Sequence, residues 1–219
     1  MTVFGGTCAP AGELEIKVIR AGDKKKRAPL SWKLRNTLRF NFIKGWIAKH
    51  AIVPFANMWG VMCAIAELSI IVKKADGTEI DYGVVSYRVV TSAGVAYLVD
   101  DFDSATGSAD VTNFKYHGIG TTNTAEASGD TALAAESTTN LNPDSTRATG
   151  TGSQPSANIY QSVGTLTADG SIAVVEHGLF STSGTGTGTL WDRSVFSTIN
   201  LSSGDSVQTT YAVTFTAGS

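Results

Sequence analysis

Five alternating residues near the carboxy terminus, Val207, Thr209, Tyr211, Val213 and Phe215, constrain this chain more than any other feature. Gln208, Thr210, Ala212 and Thr214 stand between them. Successive side chains of a strand point to opposite faces, so the spacing sends a mostly apolar row inward and a small, polar row outward. Ser203-Gly204-Asp205, just upstream, is turn chemistry: glycine takes up positive φ and aspartate bonds nearby backbone amides. Before that turn, Leu190, Val195, Phe196, Ile199 and Leu201 form a second apolar segment. The unit reads as strand, turn, strand, closing a half-buried antiparallel sheet.

The same grammar recurs along the chain. Residues 67–72 (ELSIIV) and 79–90 (EIDYGVVSYRVV) flank Asp76-Gly77, a strong hairpin signal. Strand patterns also cover 13–20, 95–99, 114–117, 159–167, 172–180 and 190–201, with a low-complexity hairpin tip at 182–189. A helical turn is expected at 131–136, entered from Asp130 as N-cap, and an acidic loop at 100–110. Turn signals about 8–12 residues apart predict a mainly β protein, an antiparallel β-sandwich or jelly-roll-like domain. One short helical segment is expected near residues 34–52, where Leu34 and Leu38, then Phe42 and Trp46, stand four apart ahead of Pro54.

A length of 219 residues holds one large β domain, and 16% charged residues with 23 glycines suit a neutral, hydroxyl-rich surface. The net charge of −2 conceals an asymmetry. Residues 1–60 carry eleven Lys/Arg against three Asp/Glu, and the remainder six against sixteen. Residues 1–60 therefore read as a basic, aromatic-rich attachment segment packed on a β body of residues 61–219, in one compact domain. Its partner-binding candidates are Lys24, Lys25, Lys26, Arg27, Trp32, Arg35, Arg39 and Trp46, since aromatics and arginine are favoured at interface centres.

Chemistry is harder to find. His50, His117 and His177 lack the spacing of a helical zinc site, and Cys8 and Cys63 make no disulfide framework. Glu176 and His177 point to opposite faces of a strand, which suits a structural histidine better than a dyad. There is no G-x-S-x-G elbow, and Gly118-Ile119-Gly120 lacks the third glycine of a dinucleotide fingerprint. An EF-hand counted from Asp101 fails at Ala105, Thr106 and Thr112, leaving 100–103 a solvated acidic loop. No catalytic residue, cofactor or metal is expected. Nor is a signal peptide, because the chain opens MTVFGGTCAPAGELE, without a basic region followed by an apolar core. Nor is a membrane span, since the apolar stretch 51–66 is broken by Pro54 and Asn57. No aromatics interleave with Lys24–Arg27, so direct nucleic-acid binding is not expected.

From residue 111 to the end, the chain resembles tailed-bacteriophage structural proteins. The resemblance rests on 113–120 (NFKYHGIG), 124–127 (TAEA), 142–150 (NPDSTRATG), 176–180 (EHGLF) and 190–196 (LWDRSVF). It implies a non-enzymatic virion component and transfers no functional residues. The leading expectation is a capsid cement or decoration protein, homo-oligomeric with a trimer favoured, bound to the major capsid protein or neighbouring virion subunits. It would be made in the host cytoplasm and reside on the capsid surface. The alternative is a tail or fibre component, with hydroxyl-rich loops at 140–156 and 182–189 meeting host glycans. A polysaccharide depolymerase would need two carboxylates brought together in space.

Overall fold

The structure is a computed structural model that describes residues 25–102 and 110–217. The strand expected over 13–20, Cys8, Lys24 and Asp103 lie outside the described residues. The architecture is mainly β, with two sheets face to face. One sheet takes β1 (Lys25–Arg27), β3 (Glu79–Tyr87), β2 (Cys63–Lys73), β12 (Ser206–Thr216), β9 (Ile159–Ala168) and β6 (Leu141–Asn142) in that spatial order, with β8 (Thr151–Ser156) also on β9. The other takes β4 (Val89–Val90), β11 (Leu190–Leu201), β10 (Ile172–Phe180), β5 (Tyr116–Gly120) and β7 (Ala148–Thr149). All pairs are antiparallel except β1 on β3.

The alternation in β12 places Val207, Thr209, Tyr211 and Val213 in the interior. Each apolar member contributes about 1.5–3 kcal/mol on full burial. Phe215 departs from the row: it is 36% exposed, at the strand end, where it borders an open concavity. The strand–turn–strand reading of 190–216 is corrected. β11 pairs with β10 and β4, while β12 lies between β2 and β9 in the opposite sheet. The turn is thus an arch between layers, and β12 is central rather than closing. Gly204 supplies φ +84° there, and the Asp205 carboxylate accepts hydrogen bonds from Ser202 N, Ala75 N and Lys74 Nζ. Those bonds tie the arch to the β2–β3 hairpin, which forms around Asp76-Gly77 as expected, with Gly77 at φ +81°.

Both sheets contribute to one core: Leu68, Ile70 and Val72 from β2 meet Val174 from β10 and Phe196 and Ile199 from β11. β10 is buried on both faces, because the connection 121–140 covers its outer side, with Leu133 against Phe180 and Leu190. That connection is not helical. The N–H groups of Ala134 and Ala135 donate to the Glu176 carboxylate, and Asp130 takes Ala127 N and the Arg193 guanidinium, so the expected turn at 131–136 does not form.

The helical segment runs as α1 (Leu30–Thr37), α2 (Phe40–Ile47), a π-helical turn (Ala48–Ile52) and α3 (Val53–Met58). It passes Pro54, the expected stop. Proline lacks an N–H and crowds the carbonyl one turn back. The bond from Val53 N–H to Ala48 O, five residues back, widens the helix just before it. A further helix, α4 (Ser92–Phe102), replaces the strand at 95–99 and takes Asp100 and Asp101 out of the expected loop. The run VAYLV fits both periods; the start of the segment decides between them. The Thr91 hydroxyl accepts the Gly94 N–H at 2.9 Å as an N-cap, and Gly94 lies so close to the Trp191 backbone that a Cβ would clash.

Candidate functional site

Two places in the molecule concentrate unusual side chains. The first lies between the sheets. Strand alternation turns His177 of β10 and Asp192 of β11 inward, where Arg88, at the crossing from β3 to β4, pairs with Asp192. Arginine only donates, so its Nη1–H donates to His177 Nδ1 at 2.8 Å. His177 therefore carries its proton on Nε2 and donates it to His117 Nδ1 at 3.0 Å. His117 in turn donates from Nε2 to Ser162 Oγ at 2.9 Å. The Thr209 hydroxyl closes the cluster against Gly164 O, and the Arg88 guanidinium stacks over the Tyr211 ring, whose hydroxyl accepts Trp191 Nε1–H at 2.6 Å.

Burial dominates the protonation of these groups. It pushes His117 down to about 3, with Arg88 adding to the effect, and holds His177 well below the usual imidazole range for the same reasons. Burial also raises Asp192 to about 6, against the lowering pull of Arg88. Ser162 and His117 are both fully buried, and with the His117 Nε2–H donating toward the hydroxyl the ring offers no lone pair to take its proton. A fully buried hydroxyl gives a substrate no approach, so this arrangement fixes the pairing of the two sheets. On the outer faces of the same strands, Glu176 and Arg193 form a separate buried pair at 2.7 Å. The expected divergence of Glu176 and His177 is what the alternation delivers.

The second place is the helical surface. Trp32 is 5% exposed; its indole N–H donates to Ser197 O and Thr198 O on β11. Asn36, one turn on, bridges both sheets, donating to Val85 O and accepting Ser197 N–H. Gly45 lets α2 press on Tyr87 of β3, where any Cβ would overlap the ring. These contacts use one side of α1 and α2. The other side remains apolar and open: Leu30 and Leu34 on α1, Leu38 just past its end, then Phe40, Ile43 and Ile47 on α2. The row continues through Ile52, Phe55 and Trp59, with Phe40 and Trp59 each 72% exposed. Monomeric proteins seldom leave so much contiguous apolar surface in water.

Its charge is one-sided. From residue 24 to residue 66 the chain has nine Lys/Arg and no Asp/Glu. Among the described residues, Lys33, Arg35, Arg39 and Lys44 make no ion pair, while Lys49 reaches Glu67 at 2.7 Å.

The expected partner-binding residues separate accordingly. Lys25, Lys26 and Arg27 form β1, an exposed strand at the edge of the larger sheet, with Lys25 3.4 Å from Glu79. Arg35 and Arg39 flank the α1–α2 break and come together over the other sheet, around a polar concavity of about 180 Å³ with Asn123, Ser197 and Thr198. Trp46 is exposed on α2 and stacks on His50. Trp32 is corrected: its burial makes it an anchor of the segment, not a contact for a partner. Lys24 lies outside the described residues.

Sequence reasoning passed over α4, whose Val95, Val99 and Phe102 form a further exposed apolar row. Their i, i+4, i+7 spacing was the available signal. Among the described residues, no three His, Cys, Asp or Glu side chains gather as a metal site, and no helix is long and apolar enough to cross a membrane. The chain matches no family model, no curated protein and no solved structure.

Proposed function

We propose that this chain is a non-enzymatic structural protein of a bacteriophage virion, a cement or decoration protein held on the assembled shell by residues 25–62. The observation that carries this reading is the open apolar surface of α1–α3, set in a 43-residue stretch without one carboxylate. An apolar centre with a cationic rim suits an acidic protein partner, since charge complementarity steers encounter and apolar burial supplies affinity. The β body fits the role of an inert carrier. Its Ser162–His117 pair is sealed from solvent, and its buried Glu176, Asp192 and Arg193 bond to each other or to neighbouring strands and loops.

A protein of this kind works by mass action: whatever binds only the assembled shell stabilises it by its binding free energy. The β1 edge, Lys25–Arg27, offers a flat cationic strip for the shell beside the apolar helical layer. Reversing Lys24, Lys25, Lys26 and Arg27 to Glu should lower occupancy on purified particles and flatten its loss with salt. The isolated chain should melt at an unchanged temperature. Undiminished occupancy would contradict the proposal, and a few copies at a single vertex would move the chain to the tail.

A further inference from the structure

We infer that the apolar row of α2 (Phe40, Ile43 and Ile47) is covered by α4 of a second copy of this chain. The inference rests on reading the helical surface as an attachment surface, and it names the occupant of its α2 part, leaving α1, α3 and β1 to the shell. The two patches are complementary in chemistry. α2 presents Phe40, Ile43 and Ile47 with Lys44 beside them, and no carboxylate anywhere on α1–α3. α4 presents Val95, Val99 and Phe102 with Asp100 beside them, and no Lys or Arg in its sequence SAGVAYLVDDF.

They are also complementary in length. Both outward rows span seven residue steps, about 10 Å along a helix, so one lies on the other without overhang. Among the described residues, neither row is covered by its own copy. α4 spends its inner face on the sandwich, with Gly94 on the Trp191 backbone and Tyr97 against Phe114. α1 and α2 are held to the sheets by Trp32, Asn36 and Gly45.

Because two different patches meet, each copy offers one of each, and the contact repeats from copy to copy until a ring closes. A small closed ring of that kind would suit a local symmetry axis of a shell.

Full-length chains carrying Val99→Glu on α4 or Trp46→Glu on α2 test the pairing by sedimentation equilibrium, with circular dichroism confirming that both remain folded. Both positions are exposed, so a folded monomer is the expected state of each variant alone. The wild type should form a discrete oligomer. An equimolar mixture of the two variants should form a 1:1 complex and nothing larger, because one supplies an intact α2 row and the other an intact α4. A monomeric wild type, a Val99→Glu chain that still associates, a Trp46→Glu chain that still associates, or a mixture that stays monomeric would each overturn the inference. A monomeric wild type would leave attachment to the particle, read separately by occupancy, undisturbed.

Discussion

The sandwich body and the helical layer treat the same residue types in opposite ways. In the body, even charged groups are taken inside and paired: Arg88 with Asp192, Arg193 with Glu176, Arg147 with Glu136 at 2.5 Å. In the helical layer, large apolar side chains are left in water and, among the described residues, Lys33, Arg35, Arg39 and Lys44 make no ion pair. Burying charge costs several kcal/mol per ion unless geometry returns it, and exposing aromatics forgoes the gain of burying them. A chain that accepts both is complete inside its body and incomplete on its helical face. On the proposed reading, function belongs to the face and specificity of fold to the interior.

The contrast can be broken most severely at Tyr211. Tyr211→Asp would set a second buried carboxylate against Asp192 and remove the acceptor of the Trp191 indole, at a cost above about 4 kcal/mol. The expected result is a chain that fails to fold by near-ultraviolet circular dichroism; a cooperative melt near the wild-type temperature would contradict it. Next in size is Trp32→Ala, the joint between the two regions, at about 3–5 kcal/mol. Amide exchange should accelerate across α1 and α2 while β12 stays protected. Uniform acceleration in both would mean that the helices are part of the body.

Smaller again is the response to acid. His117 and His177 stay neutral when folded but take up protons below about pH 6.5 when unfolded. Their stabilisation is therefore complete above that pH and drains away as pH falls toward 3. Asp192 works the other way. Its carboxyl is protonated in the fold near pH 6 but only near about 3.9 in the unfolded chain, so it returns stability over that interval. Two histidines against one aspartate leave about one net proton, a loss of about 1.4 kcal/mol per pH unit between pH 6 and 4. Urea midpoints should fall on acidification, and His117→Asn should flatten the slope; a midpoint that rises would contradict the cluster.

The smallest stability effect belongs to the open face. Trp59→Ser should change unfolding free energy by less than about 0.5 kcal/mol, because among the described residues that ring is 72% exposed. Its effect should appear in particle occupancy instead. A large loss of stability would show the ring to be a core group.

How much of this was legible in the sequence follows from the physics of each signal. β9, β10 and β11 emerge where alternation and turns place them, within a residue at each end, because period and punctuation are local. The β11–β12 partnership did not, since a Gly-Asp turn serves a hairpin and an arch equally; Lys74, 131 positions away, helps fix which one forms. α4 was hidden because VAYLV satisfies both periods, and its helix depends on how closely Gly94 meets Trp191. The basic, aromatic-rich stretch was visible as charge and aromatic content, but which aromatics face out was not. Leu34, Leu38 and Trp46 formed the expected apolar stripe, and the structure turns them to solvent while Trp32 and Asn36 go in. The buried His117–His177 pair joins strands 60 residues apart, a distance no spacing rule spans.

The most direct test of the account is the position of this chain in a density map of the purified particle. The account predicts many copies over the shell, with α1–α3 and β1 buried against other subunits and the tips at 182–189 facing outward. A particle in which Phe40, Phe55 and Trp59 stay open to solvent while the β body makes the contacts would contradict it.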